Sequence, residues 1–175
     1  MNIHYMAGIF DGEGFVYIFK KQIASKPHHI GYYISAGVNM CHLPTIKAFH
    51  DRFGGHLNNG RDPIKANHRQ VFCWGIANQK ASVFLRLIRP YVFVKGDEID
   101  VALALQEHIE QTQYTSPGRT HMTERPDRAE ILAHREELFQ RCKALKTRSF
   151  EPLLRKGPGP NGKSRGRPRL QPLDR

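Results

Sequence analysis

No run of apolar residues in this chain approaches the roughly 18 that a membrane-spanning helix needs, so no membrane partner is expected. Cysteine is scarce. Cys41, Cys73 and Cys142 are odd in number and far apart, which argues against a disulfide frame or a zinc site and for buried thiols in a reducing compartment. The chain does not open with the basic-then-apolar build of a signal peptide, so export is not expected, leaving cytoplasm, nucleoid or an organelle matrix. The histidines show no metal-ligand spacing, and His28, His29 and His42 read as loop residues. Neither a Ser-His-Asp set nor a phosphate-cradling glycine loop occurs, and no small-molecule cofactor is expected. Acidic residues are in deficit: 16 Asp+Glu face 27 Lys+Arg, a net charge of +11. Such an excess favours polyanions, of which nucleic acid is the commonest.

Against these absences stands one stretch near the N-terminus, Tyr5-Met6-Ala7-Gly8-Ile9-Phe10-Asp11-Gly12-Glu13-Gly14. It reads as a short apolar helix with a small-residue face, ending in an acidic, glycine-flanked corner. Ala7 and Gly8 lack the bulk that would keep another backbone away, and Gly12 and Gly14 are expected to permit a turn most residues resist. From Gly14 to Lys21 the pattern alternates, with Val16 and Ile18 on one side and Tyr17, Phe19 and Lys21 on the other. Positions 22–28 read as a polar hairpin connection and Ile30 to Val38 as a second strand. Thr45 to Phe53 reads as a helix, with Ile46, Phe49 and Phe53 spaced three and four apart before Gly54-Gly55. His56 to Asn58 and Arg69 to Ile76 read as strands, the latter burying Phe72, Trp74 and Ile76. Asn78 is the expected N-cap of a helix over Ala81 to Ile88, which Pro90 stops, and another helix follows from Glu98 to about Gln113.

Paired antiparallel strands with helices between them indicate an α+β fold with helices on one face. The opposite face would carry Tyr17, Phe19, Lys21, Tyr33, Ser35 and Arg69, a polar, aromatic and basic set suited to a nucleic-acid groove; a solvated face is the alternative. After Thr115 the texture changes. The expected division is a core over 1–115, a linker and charged helix over 116–150, and a disordered basic tail over 151–175. From Arg155 onward the tail holds seven basic residues and one acidic, Asp174.

Met6-Ala7-Gly8-Ile9-Phe10-Asp11-Gly12-Glu13-Gly14 resembles the LAGLIDADG motif of homing endonucleases, in a variant ending acid-Gly-Glu-Gly. The order of elements is similar to that family's αββαββα core. Phe72-Cys73-Trp74-Gly75-Ile76 and the run from Leu87-Ile88-Arg89-Pro90-Tyr91 through Val92-Phe93-Val94-Lys95 resemble its second signature block. The resemblance covers residues 4 to about 113, and the motif occurs once.

The resemblance implies a saddle-shaped antiparallel sheet and metal-dependent cleavage of both strands of a long double-stranded DNA site, with Mg²⁺ or Mn²⁺. It implies intron or intein mobility as the biological setting. A single motif implies a homodimer on a pseudo-palindromic site, with Met6, Ala7, Gly8 and Phe10 in the seam. Glu13 is then the metal-binding acid, beside the Gly14 carbonyl, and Glu supplies the hard oxygen such an ion takes. Lys95 matches the basic residue near the active site, which would stabilise charge or polarise the attacking water, and Asn39, at the end of the second strand, would orient that water. Asp11 is expected to shape the turn. The sheet would lie in successive major grooves, with Lys21, Tyr33, Ser35, Asn58, Arg61 and Arg69 contacting bases or phosphates. In the tail, Arg165-Gly166-Arg167-Pro168 is the core of an AT-hook, so Arg165 and Arg167 are expected to enter an A·T minor groove; unspecific phosphate attraction is the alternative. A non-cleaving DNA-binding protein and an intron RNA maturase are the rival functions on this scaffold.

Overall fold

The structure is a computed structural model and describes residues 1–23, 26–60, 68–112 and 127–147. The expected polar loop with Arg61, the linker, and the tail with Arg165 and Arg167 lie outside the described residues.

Helix α1 (Ile3–Glu13) starts where the Asn2 side chain accepts a hydrogen bond from the Tyr5 N–H at 2.8 Å, satisfying one orphan donor of the first turn. Strands β1 (Gly14–Ile23) and β2 (Lys26–Met40) form an antiparallel hairpin, longer than the sequence pattern indicated, with a register irregularity at Gln22/Ile23. Helix α2 (Leu43–Phe53) leads through Gly54-Gly55 to β3 (His56–Asn59), and β4 (Phe72–Ala77) runs directly into α3 (Asn78–Ile88). Gly54 and Gly55 have φ of +66° and +93°, and a Cβ on Gly55 would sit 2.5 Å from the Gly75 carbonyl oxygen. A 3-10 turn (Arg89–Tyr91) precedes α4 (Gly96–Gln111), and α5 (Arg128–Lys146) closes the described chain. The sheet order is β1-β2-β4-β3, all antiparallel.

The alternation of β1, β2 and β4 decides the layers. Val16, Ile18, Ile34, Ala36, Val38, Trp74 and Ile76 are buried on one face. There they meet Phe10 of α1, Ile46 and Phe49 of α2, Phe84 and Leu85 of α3, Ile99 and Leu105 of α4, and Leu138 and Cys142 of α5. Trp74 is the largest wholly buried side chain of this core. Its ring centroid lies 4.9 Å from that of Phe49 and 5.0 Å from that of Phe84, and its indole N–H donates to the Gly54 carbonyl at 2.7 Å. Burying an aromatic side chain contributes about 1.5–3 kcal/mol, and edge-to-face pairs add about 0.5–1.5 kcal/mol.

Helix α5 packs across α4 and the edge strand β1. Glu136 accepts from Lys20 Nζ at 2.8 Å and from the Tyr32 hydroxyl, and the Lys146 ammonium donates to the Val16 carbonyl oxygen. These contacts cover a strand edge that would otherwise present unpaired backbone groups.

Three expectations are corrected. Asn78 is not the cap of α3; it is the first residue of the helix with φ of +54°, Ala77 takes the cap position, and no side chain bonds there. Strand β4 starts at Phe72, so Arg69 precedes it as an exposed residue. Cys41 is exposed at the end of β2, and only Cys142 is fully buried. Among the described residues no helix is long and apolar enough to cross a membrane.

Candidate active site

The C-terminal end of α1 places the two acids differently. The Asp11 carboxylate turns toward the segment after the 3-10 turn. It accepts from the backbone N–H groups of Phe93 at 3.0 Å, Val94 at 2.9 Å and Lys95 at 3.0 Å. Burial raises the pKa of this carboxyl, but the hydrogen bonds from Val94, Lys95 and Phe93 and the Lys95 charge outweigh it and hold it below the usual carboxylate value. The Lys95 ammonium donates to the Asp11 carbonyl oxygen and lies 3.5 Å from that of Gly12. It thereby compensates the negative end of the helix dipole. Asp11 is the clasp that fixes residues 93–95 against α1.

Glu13 is the last residue of α1 and is exposed. A carboxylate at a helix C-terminus stands against the dipole, so a nearby cation is electrostatically favoured there. Gly14 follows with φ of −78°, ordinary extended backbone. Its need for glycine is steric, not conformational as the sequence pattern indicated: a Cβ would fall 2.4 Å from the Phe10 carbonyl oxygen and 2.6 Å from its ring. Asn39 pairs with Cys73, and its neighbour Val38 pairs with Gly14, so the sheet register carries Asn39 to the same end as Glu13. Glu13, Gly14, Lys95 and Asn39 therefore share one end of the molecule.

The seam residues divide. Met6, Ala7 and Phe10 are wholly buried in the protomer's own core and offer no surface to a partner, a correction to the expectation. Gly8 lies on the other side of α1, exposed with Gly12 one turn on, and a Cβ at either position would meet nothing within 4 Å. Tyr5 lies on this open face at 59% exposure. Beside it run residues that the sequence reading placed in the second signature block without a surface role: Phe93 and Val94 are 93% and 68% exposed, and Tyr91 packs edge-on against His4 at 4.4 Å. Their apolar character in a loop after Pro90 was the available signal.

A cavity of about 300 Å³ lies under the α1–β1 junction, lined by Gly14, Phe15, Val16, Tyr17, Lys95, Glu98 and Lys146. Lys146 comes from α5, with its ammonium 3.2 Å from the centroid of the Tyr17 ring. Burial pushes this lysine below its ordinary pKa, while Cys142 and Glu98 pull it upward. Neither Glu98 nor Lys146 was legible as a site residue, since each sits in a charged helix with no motif around it.

Lys21, Tyr33, Ser35 and Asn58 occupy the sheet face opposite the helices. The Ser35 hydroxyl donates to the Ile76 carbonyl at 3.1 Å, so its proton is engaged within the sheet. Among the described residues no group of three or more His, Cys, Asp or Glu could hold a metal ion. The hard-oxygen donors here are the Glu13 carboxylate and the Gly14 carbonyl. They fit a divalent ion in kind but are too few in this chain alone.

This architecture has counterparts of known structure. The archaeal intron-encoded homing endonuclease I-Vdi141I, solved with DNA, superposes with a TM-score of 0.62 over 85% of this chain and 86% of its own, at 12% identity. The homing endonuclease I-CvuI, in complex with its target in the presence of 2 mM Ca, gives 0.61 over 82% and 80%, at 14% identity. The LAGLIDADG homing endonuclease I-GzeII with its DNA target gives 0.60 over 79% of this chain but 44% of its own, at 10% identity. The chain has the LAGLIDADG homing endonuclease fold. Neither a protein-family profile nor a curated relative matches the sequence. In the LAGLIDADG fold seen here, the motif helix is α1, and the residues resembling the second signature block are β4, α3 and the loop to Lys95.

Proposed function

We propose that this chain is a LAGLIDADG-family endonuclease that cleaves both strands of a specific duplex DNA as a homodimer with a bound divalent metal. The observation that carries the reading is the exposed Glu13 at the tip of a helix whose outer face, Tyr5, Gly8 and Gly12, is open and bordered by exposed Phe93 and Val94. Small residues one turn apart let two backbones approach, and apolar residues beside them give the contact a dry rim. A symmetric pairing along α1 brings two Glu13 carboxylates and two Gly14 carbonyls together, which answers the shortage of ligands in one protomer. The spans on known structures agree with this: the chain matches most of I-CvuI but less than half of I-GzeII.

Each residue then has a task. Glu13 and the Gly14 carbonyl hold the metal, which when bound supplies charge neutralisation at the scissile phosphate and acidifies a water. Lys95, fixed by Asp11, places a positive charge where negative charge accumulates on the phosphate in the transition state. Asn39 accepts a hydrogen bond from the attacking water and orients it. Lys21, Tyr33, Ser35, Asn58 and Arg69 contact bases or phosphates from the sheet side, and Arg61, Arg165 and Arg167 add positive charge from outside the described residues. The setting implied is an intracellular, mobile-intron or intein gene. Retention of both Glu13 and Lys95 favours this reading over a non-cleaving binder or a maturase.

The test is incubation of the full chain with a duplex carrying its own gene's insertion site, in Mg²⁺ or Mn²⁺ and in EDTA. Double-strand cleavage is expected only with metal. Glu13→Gln should abolish cleavage and leave duplex binding within about threefold. Cleavage by Glu13→Gln at the wild-type rate would refute the site; tight binding without cleavage by the wild type would refute the enzyme.

A further inference from the structure

The outward face of the β1–β2 hairpin carries an unusual set of side chains for a DNA-reading sheet. Phe15, Tyr17 and Phe19 follow one another along β1, and Tyr33 stands opposite Phe19 on β2. Their ring centroids are 5.3, 5.8 and 5.2 Å apart in that order, so the rings support one another in a continuous ladder. Phe15 lies across Gly37, where a Cβ would meet its ring at 2.5 Å. Tyr17 and Phe19 remain 42% exposed. Toward β4 the face flattens into Ser35, Gly37, Cys73 and Gly75, and Asn58 and His56 stand at the far side.

We infer that this ladder reads the 5-methyl groups of thymines, so that the target's half-site is thymine-rich where β1 lies in the major groove. The inference rests on the endonuclease reading. Hydrogen-bond readout takes Arg or Lys for guanine, Asn or Gln for adenine and an acid for cytosine, while thymine alone offers an apolar group. None of those polar types occurs among the outward residues at 15, 17 and 19, and along β1 Lys21 is the first charge beyond them; the cation at the ladder, Lys146 of α5, is held over Tyr17 by the Val16 carbonyl. Outward side chains along a strand recur about every 6.8 Å, close to two base steps of about 3.4 Å each. The ladder is therefore in register with every second base pair. Its mutual packing means little side-chain freedom is lost on binding. The tyrosine hydroxyls supply polar groups for the flanking phosphates.

The experiment selects bound duplexes from a randomised pool with the full chain, in EDTA or Ca²⁺, then replaces each selected thymine by 2′-deoxyuridine. Wild type should select thymines at alternate positions in both half-sites, and removing one buried methyl should weaken binding about fourfold. The double variant Tyr17→Ala, Phe19→Ala should lose both the preference and the sensitivity to deoxyuridine, whereas Phe19→Leu, still apolar, should keep them. Duplex binding indifferent to deoxyuridine at every position would overturn the inference while leaving the endonuclease reading intact. So would single-stranded oligonucleotides competing as well as duplex, which would mean that the rings stack on unpaired bases. Failure to bind any duplex would overturn both.

Discussion

Asp11→Asn offers a direct test of how α1 and the Lys95 loop are joined. The carboxylate accepts three backbone N–H groups from Phe93, Val94 and Lys95, all near 3.0 Å. A hydrogen bond to a charged group contributes about 1.5–3 kcal/mol. Asparagine keeps one acceptor oxygen but turns an NH₂ group toward the remaining donors, so about 2–3 kcal/mol should be lost at this partly exposed site. For a protein of this size that lowers Tm by about 4–12 °C. The assay is thermal unfolding of wild type and variant across pH. Because the folded-state carboxyl is held below its ordinary value, its contribution is complete above the unfolded pKa of about 3.9 and is lost as pH falls through the folded value. The gap in Tm should hold steady from about pH 5 to 8 and close below about 4. Equal Tm values at pH 7, or a gap undiminished at pH 3, would refute the clasp. Cleavage should fall with the variant too, since Lys95 loses its anchor.

Other substitutions separate the remaining roles. Gly8→Leu should leave protomer stability unchanged or higher, because a Cβ at this exposed position meets nothing within 4 Å, yet yield a monomer by sedimentation. Phe93→Glu should do the same through the exposed loop, and a persisting dimer in both variants would refute the seam. Gly14→Ala should destabilise by at least about 2 kcal/mol in urea unfolding, whereas Gly8→Ala should gain up to about 1 kcal/mol of helix propensity. Glu136 is held at a pKa of about 2, first by its bond from Lys20 and then by those from Tyr32 and Gln140. Its support for α5 is therefore complete above its ordinary value and fades as pH drops toward 2. Glu136→Gln should speed amide exchange in α5 at pH 7 more than in α3.

Much of the fold was legible because the periods were clean. The alternation in β1, β2 and β4 sorted inward from outward residues correctly, and the spacing of Ile46, Phe49 and Phe53 marked α2. Helix α1 was harder to orient. It carries apolar residues on both sides, so periodicity does not say that Met6, Ala7 and Phe10 face the core while Tyr5, Gly8 and Gly12 face out. Partners distant in the chain were likewise hidden: Asp11 meets its donors more than eighty residues on, and Lys146 reaches β1 from the last described helix. Asn78 has the chemistry of a cap, but β4 runs straight into α3 and leaves Ala77 in the cap position.

Trp74 is the chain's one tryptophan, and it sits at 0% exposure with its indole N–H bonded to Gly54 and aromatic rings on its flanks. The molecule therefore carries a single indole emitter, excited selectively at wavelengths its six tyrosines do not absorb and placed on the side of the sheet away from the proposed DNA. Its emission follows the closure of α2 and α3 over β4 without interference from a second emitter of its kind. Changes at the phosphate-facing surface reach it only through the sheet itself, so its emission reports folding and not nucleic-acid binding.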